Sequence, residues 1–578
     1  MIHCLRAVWA ILLPHERRSA VLVVLLMLTG TLLEMFSIGL IVPALALLTG
    51  DSVTMPARLR PWVDTAGGVS PRLILVVLLS LVGVYAVKSV FLLFSAYCES
   101  RFVRTAQADV SRRLFSAFLA KPWTYHLEKN SGVLLHAMTD TQNFAFVCIN
   151  LVQILSELFV LSGLLLLLLW MEPLGAVVVA GTLGMAFLVL NTVVRPRATG
   201  WALVRQHHMQ MFLKHVRQAL GGAKEVKLRG CEREFLDQFH VHTEGAARMG
   251  TRQTLAEQVP RLWFELLAVI ALFLLAAAMV WEGRPVRALV PMLGLFATVA
   301  FRVLPSVTYA TVSLQRMRQY EPMLDALVDY LADEDRNPPR AGPPARGFRD
   351  AIRIERVSYR YPTGHEPVLR DVDIEIPHGM AVGFIGGSGA GKSTLVDVIL
   401  GLLPPASGRV TVDGVDIQGD LRSWQRLIGY VPQTIYLCDD TIRRNVAFGV
   451  PEKAIDDAAV RRALAAARLD DFVATLPQGM NTFVGERGVR FSGGQRQRIG
   501  IARALYHDPE VLVLDEATSA LDSETERAVM TAVDSLHGVK TIIIVAHRLS
   551  TVANCDVLHR LDAGRVVQSG PFNAMVPG

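Results

Sequence analysis

The stretch GGSGAGKST, residues Gly386 to Thr394, decides the fold of the C-terminal part of this chain. It follows the apolar segment MAVGFI, which predicts a buried strand, and it precedes TLVDVILGLL, which predicts a helix. A glycine-rich loop between a strand and a helix turns backbone N–H groups inward, where they bind phosphate oxygens. The stretch therefore predicts an α/β domain of the P-loop type.

Individual positions of this loop have expected roles. Lys392 is expected to reach the β- and γ-phosphates of a nucleotide, and Ser393 to ligate Mg²⁺. The N-terminus of the following helix adds its positive dipole end. Further nucleotide contacts are expected from Gly386, Gly387, Ser388, Gly389, Ala390, Gly391 and Thr394. The loop therefore predicts ATP and Mg²⁺ as cofactors.

An acidic pair follows the loop at a distance of about 120 residues. The segment VLVLDE, from Val511 to Glu516, predicts a buried strand that ends in two carboxylates. Asp515 is expected to hold Mg²⁺, and Glu516 to polarise the water that attacks the γ-phosphate. The pair therefore predicts ATP hydrolysis.

The long apolar segments lie almost entirely before residue 326, although 52% of all 578 residues are hydrophobic. A segment rich in proline and glycine, DRNPPRAGPPARG, then separates them from the P-loop part. We predict a transmembrane domain over residues 1–325, a linker over 326–347 and an ATP-binding domain over 348–578.

Six segments have the length and composition of membrane spans. They are Ala20–Leu48, Leu73–Cys98, Phe146–Trp170, Leu174–Val194, Leu262–Trp281 and Val286–Thr308. An even number of spans places both ends of this domain on the same side of the bilayer. The predicted fold is therefore a multi-pass α-helical membrane domain of six spans plus an α/β P-loop ATPase domain.

Charge and cysteine content exclude other classes of protein. The net charge of +6 is modest and spread out, and no module of basic and aromatic residues indicates nucleic-acid binding. The six cysteines have no metal-ligand or CxxC spacing. Basic residues between the apolar segments suit cytoplasmic loops against anionic lipid.

The segment FSGGQRQR, from Phe491 to Arg498, shows a resemblance to the ATP-binding cassette (ABC) family, whose motifs occur in order from Ile352 to Gly578. The resemblance implies that the signature Ser492, Gly493, Gly494 and Gln495 acts on ATP held by a partner subunit. It also implies that Tyr361 stacks on adenine, Gln433 senses Mg²⁺, Asp522 contacts the other subunit, and His547 contacts the γ-phosphate during catalysis.

The order of the two domains resembles that of ABC half-exporters. This implies a homodimer in the bacterial inner membrane, with the cassettes in the cytoplasm. The two long polar links between spans should end in short coupling helices, near Tyr125–Asp140 and Gln218–Phe239. A non-transporting ATP-dependent regulator is the alternative from another class.

Charged residues occur within the predicted spans, where they pair or line a polar path. Arg302 lies in span 6, Lys88 in span 2, and Glu34 in span 1. Glu157 and Glu265 lie in spans 3 and 5. One interpretation is an ion pair between a cation and a glutamate that locks the helix bundle. The other is a site for an anionic substrate built on Arg302, Lys88 and Glu34.

Three segments resemble the exporter branch that flips lipid-linked oligosaccharides. They are Leu32–Leu48, the segment KEVKLRGCEREFLDQF, and Phe301–Ser306, and in that branch a short external helix would lie within Thr49–Arg72. The resemblance implies flipping of a polyprenyl-pyrophosphate-linked oligosaccharide from the inner to the outer leaflet. Export of a peptide, a toxin or an amphipathic lipid remains the alternative.

Overall fold

The structure is a computed structural model of the whole chain. It describes residues 2–41, 71–129, 131–171, 177, 181–182, 184–185, 188–281, 286–332, 347–362, 364, 366–485, 488–517, 523–546 and 548–575. The expected external helix within Thr49–Arg72 falls almost wholly outside these residues. All six cysteines are free thiols.

The chain divides into two compact units. One contains residues 1–120 and 131–338, and the other contains residues 121–130 and 339–578. Residues 121–130, which we predicted as part of the transmembrane domain, therefore cluster with the cassette. They include the short helix Trp123–Glu128, which lies where the first coupling helix was expected.

The first unit is helical throughout its described residues. Its helices are Ile2–Ile11, Pro14–Gly39, Pro71–Ala120, Ser131–Met171, Leu190–Val194 (a π-helical turn), Arg195–Gly221, Ala223–Arg229, Glu232–Trp281, Val286–Gln319 and Glu321–Ala332. The last of these helices corrects one boundary. Leu324, Leu327 and Leu331 are buried on one face of it, so residues 326–332 continue the helix instead of starting the linker.

Among the described residues, three helices are long and apolar enough to cross a membrane. These are Pro14–Gly39, Leu75–Ala120 and Gly132–Trp170, and they contain most or all of the first three predicted spans. The fifth and sixth predicted spans lie in the helices Glu232–Trp281 and Val286–Gln319. Of the fourth, residues 177, 181–182, 184–185 and 188–194 are described, and all of them are helical.

Two sheets form the second unit. Their strands are β1 (Ala351–Tyr359), β2 (Leu369–Pro377), β3 (Ala381–Gly386), β4 (Ser407–Val412), β5 (Val415–Asp416), β6 (Ile428–Val431), β7 (Val511–Asp515), β8 (Thr541–Val545), β9 (Val557–Asp562) and β10 (Arg565–Gly570). The smaller sheet has the order β2-β1-β4-β5 and is antiparallel. The larger has the order β10-β9-β3-β8-β7-β6, and all its pairs are parallel except β9 with β10, which is antiparallel.

Short helices cover the larger sheet and connect its strands. They are Lys392–Ile399, Leu421–Arg426, Ile442–Val446, Asp457–Ala466, Asp470–Thr475, Gly493–Leu505, Ser523–Asp534 and Phe572–Met575. Single 3₁₀ turns occur at Ile417–Gly419, Glu452–Ala454, Gly479–Asn481 and Leu549–Val552. Every residue of β7 and β8 is buried, which explains why residues 511–514 and 542–545 are all apolar.

The carboxyl ends of β3 and β7 lie at the same edge of the larger sheet, because both strands run parallel to β8 between them. The P-loop follows β3 and the acidic pair ends β7. The sheet topology therefore brings together two motifs that are far apart in the sequence.

Candidate active site

The P-loop has the backbone conformation that its glycines allow. Gly386 has a φ of +152° and Gly391 a φ of +101°. A Cβ atom at Gly386 would lie 2.2 Å from the carbonyl oxygen of Leu561, so no other residue fits there. The loop therefore passes close to β9 before it enters the helix Lys392–Ile399.

Lys392 closes the loop from inside. Its side chain is almost fully buried, and Nζ donates hydrogen bonds to the carbonyl oxygens of Gly386 and Gly387, each at 3.0 Å. Burial lowers the pKa of Lys392, while the nearby Glu516 and Asp515 carboxylates act in the opposite direction. The ammonium group is thus held at the loop, where the phosphates are expected.

The predicted metal ligands lie around the end of β7. The hydroxyl of Ser393 is 3.5 Å from Oδ1 of Asp515, whose side chain is buried. Gln433 lies on the other side and donates from Nε2 to Oε2 of Glu516 at 2.6 Å. The oxygen atoms of Ser393, Gln433 and Asp515 could hold Mg²⁺, which prefers oxygen ligands.

Glu516 has an unusual backbone conformation for a residue with a side chain. Its φ is +50°, and its backbone N–H donates to the carbonyl oxygen of Val545 at 3.0 Å. Residues held in this region cost free energy and cluster at functional sites. The turn directs the chain away from the sheet immediately after Asp515 and places a second carboxylate beside Gln433.

Tyr361 lies beside the helix that follows the P-loop. Its hydroxyl is 3.1 Å from Oγ1 of Thr394, and its ring meets Tyr359 edge-on at 5.1 Å. Tyr361 also lines a cavity of about 750 Å³ with Asp397 and the helix Trp123–Glu128. Burial, and then the charge of Asp515, raises the pKa of Asp397 to about 6. The cavity is large enough to hold an adenine ring beside Tyr361.

The signature begins a helix. Ser492 caps the helix Gly493–Leu505, because its hydroxyl accepts from the backbone N–H of Gln495 at 3.2 Å. The side chain of Gln495 accepts in return from the backbone N–H of Ser492 at 2.9 Å. Phe491 is buried and packs edge-on against Phe472, which explains why a bulky apolar residue precedes the signature.

Two predicted site residues, Asp522 and His547, lie outside the described residues, and their roles remain predictions. The structure adds contacts that the motifs did not reveal. Tyr430 on β6 is hydrogen-bonded to Asp515, and burial raises its pKa. Glu526 accepts hydrogen bonds from Arg548 and Thr551, each at 2.8 Å, and thereby fixes the segment that follows His547.

Three charged residues of the predicted spans, Arg302, Glu34 and Glu157, meet in the first unit. Arg302 makes a two-pronged ion pair with Glu34, through Nε to Oε1 and through Nη2 to Oε2, the latter at 3.2 Å. Nη1 donates to Ser306 at 3.1 Å and lies 3.7 Å from Glu157. The ion-pair interpretation of Arg302 is therefore the one that this conformation shows.

Lys88 is not part of this group. Its ammonium nitrogen lies over the ring of Tyr85, 4.4 Å from the centroid, and within the described part of the chain it has no carboxylate partner. The structure therefore brings together Arg302 and Glu34 but does not add Lys88 to them.

The pairing of Arg302 leads to a stability prediction. Arg302→Ala would leave the nearly buried carboxylate of Glu34 without its partner, and we expect a loss of about 3–5 kcal/mol. Replacing both residues by methionine should restore most of that loss. The melting temperature of the purified protein measures the effect, and the exposed Glu265→Gln is the control. A stable Arg302→Ala protein would show that the pair contributes nothing to the fold.

Both halves of the chain match known protein families. Residues 22–301 match the ABC transporter transmembrane region, and residues 369–519 match the ABC transporter domain. These matches contain the helices that carry Arg302's partners and the complete P-loop, Gln433 and signature.

Similar proteins share nearly the whole length of the chain. An ATP-dependent lipid A-core flippase of Thiobacillus denitrificans is 31% identical, over 93% of this chain and 93% of its own. One of Cupriavidus metallidurans is 31% identical over 99% and 94%.

A solved structure, that of a bacterial Atm1-family ABC exporter with ATP bound, superimposes with a TM-score of 0.75. It is 25% identical and covers 98% of this chain and 96% of its own. The chain therefore belongs to the ABC transporter family, as an ATP-driven exporter whose helical transmembrane region is fused to its ATPase domain.

Proposed function

We propose that this exporter flips a polyprenyl-pyrophosphate-linked oligosaccharide from the cytoplasmic to the outer leaflet of the bacterial inner membrane. It works as a homodimer driven by Mg·ATP. The geometry of the cassette supports ATP as the energy source, since one edge of the larger sheet carries Lys392, Ser393, Asp515 and Glu516. The substrate-binding site must lie among the transmembrane helices.

The charge balance around Arg302 does not by itself favour an anionic substrate. Arg302 faces two carboxylates, Glu34 and Glu157, so this group has a formal charge of −1, one positive and two negative. In the conformation described, Arg302 is already neutralised. It can bind an anionic substrate only if the substrate takes the place of Glu34.

Lys88 is the single observation that favours an anion. It lies near the middle of the second predicted span, and its described neighbour is the face of Tyr85. A cation at this depth costs about 2.5–3.5 kcal/mol. A cation–π contact returns only about 0.5–2 kcal/mol. A pyrophosphate at the same depth would supply the missing counter-charge.

A second candidate substrate follows from the relatives, which are named lipid A-core flippases. This exporter would then flip a lipid of the lipid A-core type. The two candidates differ in the lipid that stimulates ATP hydrolysis, and a direct comparison of the two lipids distinguishes them.

Lys88 gives the test. Lys88→Gln should raise the concentration of polyprenyl-pyrophosphate glycan that half-maximally stimulates ATPase activity by at least tenfold, about 1.4 kcal/mol. Lys88→Arg should restore most of the affinity, because it keeps the charge. Tyr85→Phe is the matched control, since it keeps the ring face.

Two results would contradict this assignment. Unchanged half-maximal stimulation in Lys88→Gln would remove Lys88 from the substrate site. Stimulation of the wild-type protein by lipid A-core, with no response to the pyrophosphate-linked glycan, would favour the second candidate.

A further inference from the structure

Histidines face one another across two antiparallel helices of the first unit. The helices Arg195–Gly221 and Glu232–Trp281 are joined by the short helix Ala223–Arg229. His208 and His215 lie seven residues, or about two turns, apart on the first helix, so they share a face. His242 lies on the second helix and contacts both of them.

The imidazoles are close enough to act together. Nδ1 of His208 is 3.1 Å from Nδ1 of His242, and the two ring centroids are 5.4 Å apart. The ring of His215 stacks on that of His242 at 5.3 Å, with an angle of 16° between the planes. Nδ1 of His215 is shielded from solvent and has no hydrogen-bond partner among the described residues.

A glycine makes room for this arrangement. Gly245 lies inside the second helix, one turn after His242, and a Cβ atom there would lie 2.5 Å from Cε1 of His208. Glycine within a helix is less favourable than alanine. Its absent side chain is what allows the imidazole of His208 to lie against the facing helix.

The surroundings keep the imidazoles available as ligands. The nearby Glu244 already pairs with Arg248 at 2.9 Å and with His240 at 3.4 Å. Imidazole nitrogens are typical ligands of Zn²⁺, Ni²⁺ and Cu²⁺.

We propose that His208, His215 and His242 bind one divalent transition-metal ion between the two helices. Zinc–nitrogen bonds are about 2.0–2.1 Å long, so two imidazole ligands of a tetrahedral ion lie roughly 3.3 Å apart. The Nδ1 atoms of His208 and His242 have nearly this spacing, at 3.1 Å. His215 is stacked on His242 and would complete the site only after its side chain rotates toward the ion. The bound ion joins the helices and stabilises the hairpin, independently of the transported substrate.

The proposal is tested on the full-length protein, purified without a histidine tag and treated with a chelator. Titration with Co²⁺, followed by its visible absorption, and calorimetry with Zn²⁺ should give one ion per chain. Zn²⁺ should also raise the melting temperature, because it binds only the folded hairpin.

Two variants and one control make the test specific. His242→Ala should weaken Zn²⁺ binding by at least tenfold and abolish the rise in melting temperature. Gly245→Ala keeps all three histidines but displaces the ring of His208, and it should also weaken binding by at least tenfold. His240→Ala removes an exposed histidine on the same helix and should bind Zn²⁺ like the wild type.

Other results would overturn the proposal. Equal Zn²⁺ affinity in the wild type, His242→Ala and Gly245→Ala would show that the ion binds elsewhere. Absence of Zn²⁺ and Co²⁺ binding in the wild type would show that the imidazoles only stack and hydrogen-bond. Circular dichroism of each variant checks that its helices are folded. Weak binding is assigned to the changed site only in variants that pass this check.

Discussion

Glu516→Gln should lower the rate of ATP hydrolysis by at least tenfold, or about 1.4 kcal/mol of barrier, while ATP still binds. General-base catalysis is typically worth about 10²–10⁴-fold, and glutamine cannot accept the proton of the attacking water. The amide oxygen of glutamine can still accept the hydrogen bond that Gln433 donates to residue 516, so the geometry should survive. Steady-state ATPase rates and the ATP-induced rise in melting temperature measure both effects.

Glu524→Gln is the matched control, because Glu524 is exposed on the helix Ser523–Asp534 and should tolerate the same change. A Glu516→Gln protein that retains more than a tenth of wild-type activity would show that another group is the catalytic base. Loss of ATP binding in Glu516→Gln would instead point to a disturbed site and not to lost chemistry.

Mixed dimers should regain activity that both parent homodimers lack. Lys392→Ala removes the ammonium that closes the P-loop, and Gly493→Asp places a negative charge in the first turn of the signature helix. If each signature acts on the ATP of the other subunit, a dimer of one chain of each kind keeps one site free of both changes. We expect ATPase activity well above that of either homodimer.

Heterodimers purified by two different tags provide the measurement. ATP-dependent disulfide formation between Ser388→Cys of one subunit and Ser492→Cys of the other is the independent control for this geometry. Inactive heterodimers that still cross-link would show that the two sites are strictly coupled. Inactive heterodimers without cross-links would contradict the arrangement in trans.

The cassette was predictable from sequence because its chemistry lies in short local motifs. The predicted strand before the P-loop is confirmed as β3, and the predicted helix after it as Lys392–Ile399. The segment VLVLD is confirmed as β7. Each motif includes both the reacting side chains and the turn that positions them. The glycines of the P-loop and the turn at Glu516 are therefore encoded where they act.

The partner of Arg302 was not predictable, because it depends on how helices pack. Glu34 lies 268 positions away, and three glutamates in the predicted spans were equally acceptable partners from sequence alone. The histidine cluster was missed for the same reason, since His208 and His242 meet only through the helical hairpin. Residues 326–332 were assigned to the linker because they adjoin the proline-rich segment. The apolar face of the helix Glu321–Ala332, which continues through them, was not taken into account.

ATP-dependent flipping in proteoliposomes tests the central claim most directly. Vesicles would contain the wild-type protein or Glu516→Gln and a fluorescently labelled polyprenyl-pyrophosphate oligosaccharide, with labelled lipid A-core in parallel vesicles. The account predicts that external Mg·ATP moves the pyrophosphate-linked glycan across the bilayer with the wild type and not with Glu516→Gln. Wild-type vesicles that hydrolyse ATP without moving this glycan, or that move only lipid A-core, would contradict it.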